Sequence, residues 1–119
     1  MSVRIALGAV GAALVLAAGA AASAPPVGPL PAGPTQHITT QRGQLVALAL
    51  PHAANGRAWR LARAVNPKVL VEVSEADVGA NVVIVYKATG RGSVTVSYGL
   101  TRGETAHAYA AQRFAVSVQ

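Results

Sequence analysis

Side chains able to do covalent or acid–base chemistry are few in this chain. There is no cysteine, so no thiolate nucleophile and no soft metal ligand is available. Asp77 is the sole aspartate, and no Gly-x-Ser-x-Gly turn raises a serine toward a histidine. Glu72 and Glu75 stand three apart, and a carboxylate pair can do acid–base work on glycosides. Glu72, however, alternates with valines that read as buried and is expected to face water, while Glu75 enters a polar turn. Both read as solubilising charges. His52 and His107 could meet Asp77 or Glu104 around a metal if their loops converge, but no His-x-x-x-His spacing occurs and His37 lies at the other edge of the domain. The expectation is therefore a chain that is not an enzyme, has no metal site and no cofactor, and works by binding.

Charge narrows the partners. Ten Lys and Arg against four Asp and Glu give a net charge of +6, which attracts anions at long range. These charges are scattered singly, and one Phe, one Trp and three Tyr are too few to stack a run of bases, so no nucleic acid is expected. Met-Ser-Val-Arg is followed by an uncharged run over residues 5–24 rich in Ala and Gly. A positive start, an apolar stretch and small residues make an export signal. Ala20-Ala21-Ala22 is the preferred cleavage box, so residues 1–22 are expected to be a signal peptide. Its modest hydrophobicity argues against a lasting membrane anchor. The expected location is periplasmic or secreted, and the expected state a monomer. Five of the seven prolines fall in residues 25–34, and residues 23–36 read as a proline-rich, semi-stiff tether. Residues 37–119 then form one domain, which without disulfides must be held by its core.

From residue 44 onward short β-branched runs are separated by Gly, Pro, Asn and Asp, the spacing of an all-β sandwich or barrel. Val94, Val96, Tyr98 and Leu100 fall on one face with Ser93, Thr95 and Ser97 on the other. Val69, Val71 and Val73 alternate with Glu72, and Phe114, Val116 and Val118 with Arg113 and Ser117. Residues 44–50 and 81–88 are apolar on both faces, as strands buried on two sides would be. Ala88-Thr89-Gly90-Arg91-Gly92 offers glycines for a hairpin between adjacent strands. Residues 57–65 are ambiguous: good helix formers lie between a capping Asn55 and a stop at Asn66-Pro67, yet a strand would turn Trp59 and Leu61 inward equally well.

The stretch GQLVALALPHAANGRAWRL, residues 43–61, resembles the chagasin-type inhibitors of papain-like cysteine proteases, in which an apolar strand ends in Leu-Pro, passes a loop closing in Gly and enters a strand bearing Trp. The likeness continues through residues 69–73, 81–88 and 90–98 and closes with Gln112-Arg113-Phe114-Ala115-Val116. It implies an immunoglobulin-like β-sandwich of about seven strands, with residues 57–65 holding a strand, and three loops at one end that plug a protease cleft.

On that resemblance the protease-binding residues are His52, Ala53, Ala54, Asn55 and Gly56 in the first loop, Gly79, Ala80 and Asn81 in the second, and Leu100, Thr101, Arg102 and Gly103 in the third. The family pattern Asn-Pro-Thr-Thr-Gly survives here only in Gly56, the second loop is short, and the third has Arg102 without the usual Pro-Trp. Asn55-Gly56 also reads as a plain turn, since that dipeptide accepts positive φ. The leading expectation is an exported inhibitor-like domain whose partner is a papain-like cysteine protease. The alternative is a periplasmic envelope-binding or accessory protein-interaction module on the same fold with no inhibitory activity.

Overall fold

The period-two runs become seven strands: β1 (Thr35–Thr40), β2 (Leu45–Pro51), β3 (Ala58–Leu61), β4 (Leu70–Val78), β5 (Asn81–Ala88), β6 (Gly92–Thr101) and β7 (Ala110–Val118). They come from a computed structural model that describes residues 26–119. The expected signal peptide, residues 1–22, and the first residues of the expected tether lie outside the described residues. The strands form a four-stranded sheet ordered β1-β7-β6-β3 and a three-stranded sheet ordered β2-β5-β4. All pairings are antiparallel except that of β1 with β7, where Thr35 stands opposite Arg113 and Thr40 opposite Val118.

The core lies between the sheets and follows from alternation. Val46, Leu48 and Leu50 of β2, Ile84, Tyr86 and Ala88 of β5, Val96 and Tyr98 of β6, and Phe114, Val116 and Val118 of β7 are buried together. The inward faces of β6 and β7 thus hold as read, but the outer face of β6 is solvated only at Ser93 and Thr95, Ser97 being 7% exposed. Tyr98 meets Phe114 edge to face, with ring centroids 6.3 Å apart, and its hydroxyl lies 2.9 Å from that of Tyr86. Burial raises the pKa of both phenols, so each hydroxyl stays neutral and satisfies the other.

Four local expectations are corrected. β2 is buried on one face only: it is a sheet edge, and Leu45, Ala47 and Ala49 point outward, Leu45 at 64% exposure. β5 is central as expected, but its outer face is only partly covered. Of the three valines read as buried, Val69 is in the core just before β4, but within β4 the inward face is that of Leu70 and Glu72, and Val71 and Val73 are 38% and 51% exposed. Residues 88–92 do not close a hairpin, because β5 and β6 belong to different sheets. That connection crosses the sandwich and is tied to the β3–β4 link, with Thr89 N–H donating to the Val69 carbonyl at 2.8 Å and Thr89 Oγ1 to that of Pro67 at 2.8 Å. Residues 57–65 carry β3 and no helix.

The stretch expected as a tether is, over residues 26–34, part of the packed body. Val27 is fully buried with Ala62 and Ala108, and Leu30 packs beside them. This cluster covers the outer face of β6 at Gly99, where a Cβ would press on Leu30 at 3.0 Å and Val27 at 3.1 Å. Prolines lack an N–H, but their carbonyls and those of their neighbours remain acceptors. Arg113 donates to the Pro31 carbonyl at 3.1 Å, and Arg63 to that of Val27 at 2.9 Å.

Candidate functional site

The first loop follows β2 and is pinned at its base. The Trp59 indole N–H donates to the Pro51 carbonyl at 2.8 Å, linking the strands on either side of the loop. Trp59 packs against the core but remains partly exposed. At the tip Asn55 and Gly56 have φ of 62° and 73°, and Arg57 N–H donates to the Ala54 carbonyl at 3.2 Å. Two successive positive φ values with that bond make a type I′ turn. The turn reading of Asn55-Gly56 therefore describes the geometry, and it leaves His52, Ala54, Asn55 and Gly56 exposed.

The second loop is a two-residue hairpin. β4 runs to Val78 and β5 starts at Asn81, which leaves Gly79 and Ala80 as the turn, with Gly79 at φ 61°. It lies beside the first loop: His52 N–H donates to the Ala80 carbonyl at 3.0 Å, and His52 Nε2 is 3.4 Å from Asp77 Oδ1.

The third loop begins later than expected. Leu100 and Thr101 still belong to β6. Thr101 is 1% exposed, and its hydroxyl accepts from Arg60 Nε at 3.2 Å, so it holds β3 to β6 and presents nothing outward. Arg102 and Gly103 are exposed. The loop then continues to Tyr109, 42% exposed, whose ring carries the Arg57 guanidinium 4.2 Å from its centroid. His107 meets the same ring edge on at 4.6 Å.

Of the expected residues, the structure thus joins the first loop to the second through His52 and to the third through Arg57. His52 and His107 do not converge: one pairs with Asp77 and the other packs on Tyr109. Among the described residues no group of three or more potential metal ligands is found. Arg57 and Tyr109 are not among the expected site residues, and His107, expected only as a metal ligand, packs on Tyr109. The signal in the sequence is a tyrosine in a polar stretch just before a strand.

Glu72 and Glu75 are both exposed as expected, although Glu75 lies within β4 rather than in a turn. They stand opposite Tyr86 and Ile84, whose side chains point inward, and both line an open cavity between the sheets together with Trp59 and Tyr98.

No protein-family model matches the chain, and no curated protein matches it by sequence. Among solved structures it is similar to the cysteine protease inhibitor EhICP2 from Entamoeba histolytica, at 18% identity and a TM-score of 0.51, over 73% of this chain and the whole of that one. The expected resemblance therefore holds at the level of architecture: the chain shares the fold of that inhibitor, a seven-stranded β-sandwich.

Proposed function

We propose that this chain is an exported inhibitor-type domain that binds papain-like cysteine proteases through its three loops, and that it acts by occupying the cleft without any proton transfer. The observation that carries this reading is the mutual bracing of the loops: first to second by His52 and Ala80, first to third by Arg57 on Tyr109. Loops ordered before binding lose little entropy on docking. Small residues at Ala53, Ala54 and Gly56 allow close backbone approach, and Tyr109 supplies the exposed aromatic surface on which hot spots are built.

Titration of the purified protein against papain tests it. Both family threonines and the usual Pro-Trp are missing, and hot-spot groups contribute ~2 kcal/mol or more each, so inhibition is expected to be micromolar or weaker. Changing Ala53-Ala54-Asn55 to Pro-Thr-Thr should tighten it, and Tyr109→Ala should weaken it by roughly 30-fold. No inhibition by either the native or the exchanged loop would overturn the proposal.

An accessory protein-interaction module is the second reading, supported by the exposed Leu45, Val71, Val73 and Val78 on the outer face of the three-stranded sheet. It predicts that loop changes leave partner binding unaltered.

A further inference from the structure

The cavity beside β4 has a volume of about 250 Å³ and lies on the flank of the sandwich where β3 and β4 are the sheet edges. Trp59, Leu61, Ile84 and Tyr98 form its apolar and aromatic part. Two of these are held in place, Trp59 by its bond to the Pro51 carbonyl and Tyr98 by the Tyr86 hydroxyl.

The bulge in β4 determines the rest. In a regular strand residues three apart face opposite sides. The register slip between Glu72 and Ser74 sets Glu72 opposite Tyr86 and Glu75 opposite Ile84, so both residues lie on the face that borders the cavity, with their side chains exposed at its rim. Re-aiming a side chain is a known consequence of a bulge. Burial, and to a smaller degree the charges of Glu72 and Glu75, raise the pKa of Tyr86 and Tyr98.

The cavity is also unmatched. Among the described residues neither glutamate lies within ion-pair distance of a cation; His52 Nε2, on the cavity wall, is instead 3.4 Å from Asp77 Oδ1. Arg57 lines the cavity, yet its guanidinium lies on Tyr109, and its buried Nε–H has no acceptor. In a chain of net charge +6 this flank reverses the local sign.

We propose that the cavity is a binding site for an organic cation with an apolar stem, an alkylammonium or alkylguanidinium such as a lysine or arginine side chain, its stem lying on Trp59 and its charge between Glu72 and Glu75. Aromatic faces and carboxylates both favour such a cation. The site is on the flank rather than at the loop tips, and it stands whether or not the loops bind a protease.

NMR titration of the isotope-labelled protein tests it, with Nα-acetyl-arginine amide and Nα-acetyl-lysine amide as cations, agmatine and butylammonium as free amines, and Nα-acetyl-norleucine amide as the neutral control. The expected result is saturable shifts at the Trp59 indole and the Leu61 and Ile84 methyls, with a Kd tighter than about 10 mM for at least one cation and at least tenfold weaker binding of the norleucine amide. The double variant E72Q/E75Q should lose at least tenfold in affinity while its thermal unfolding barely moves, since both side chains are exposed. Free amines binding as well as the amides would identify a free amine as sufficient; amides alone would identify a side chain within a peptide. Equal binding of the neutral control, shifts indifferent to the double variant, shifts centred elsewhere, or none at all would overturn the proposal.

Discussion

The Tyr86 and Tyr98 hydroxyls face one another inside the core at 2.9 Å, and each depends on the other for satisfaction. Tyr98→Phe leaves the Tyr86 hydroxyl buried without a partner and should cost about 1–3 kcal/mol. Changing both to Phe should cost less than the two single changes summed, read from urea unfolding as a double-mutant cycle. The pair also sets a pH limit. Burial raises both folded-state pKa values above the ordinary tyrosine value, so the neutral form is favoured by folding. Stability is fully present below about pH 10. Above it the unfolded chain releases protons that the folded chain keeps, and stability falls by up to ~1.4 kcal/mol per pH unit for each tyrosine. The double Phe variant should show a shallower alkaline fall. Trp59 is half in the core and half in the flank cavity, so Trp59→Ala should cost about 3 kcal/mol, the low end for a core tryptophan, and blunt the cation-induced shifts. That Tyr98 faces inward was legible from its spacing to Val94 and Val96. Its partner across the sandwich was not, because nothing local links β5 to β6.

At the scale of elements, alternation read true where a strand lies inside its sheet and failed where an edge or a bulge intervenes. β6 and β7 have neighbours on both sides, and their apolar faces are those the spacing showed. β2 is an edge, so its all-apolar sequence covers one buried face and one exposed face. In β4 the bulge after Glu72 exchanges faces midway, and a strict period of two cannot represent that. Residues 26–34 have no period at all, and their packing comes from Val27 and Leu30 against Ala62, Ala108 and Gly99 and from carbonyls that accept from Arg63 and Arg113. Val27→Ala should cost about 2 kcal/mol by urea unfolding. Gly33→Ala should displace the segment, because a Cβ there collides with the Ala111 carbonyl, and amide exchange in β7 would report it. A free tether would leave both measurements unchanged.

Over the whole molecule, the architecture requires far-ultraviolet circular dichroism of residues 26–119 to be that of strand without helix, and a strong helical signal would contradict the β3 assignment. The net charge of +6 separates the functional readings. Binding to an anionic envelope polymer through scattered cations should collapse as ionic strength rises past the point where the Debye length is ~10 Å. Docking of preformed loops into a protease cleft should be far less sensitive to salt, measured as papain inhibition in low and high salt. The mutual bracing of the three loops favours the second outcome.

Composition and spacing alone determined the all-β class, the absence of disulfide support, the inward faces of β6 and β7 and the turn at Asn55-Gly56, because each depends on side-chain alternation or on φ at one or two residues. The residues 43–61 likeness supplied the strand at Trp59, where propensity was evenly divided. Tertiary structure alone decided that β5 and β6 part into different sheets, that Thr101 is buried, that Tyr109 meets Arg57, and that Glu72 and Glu75 share a cavity. Each of these joins segments far apart in the chain or depends on a register slip, and pairing of that kind is set by packing between sheets rather than by local preference.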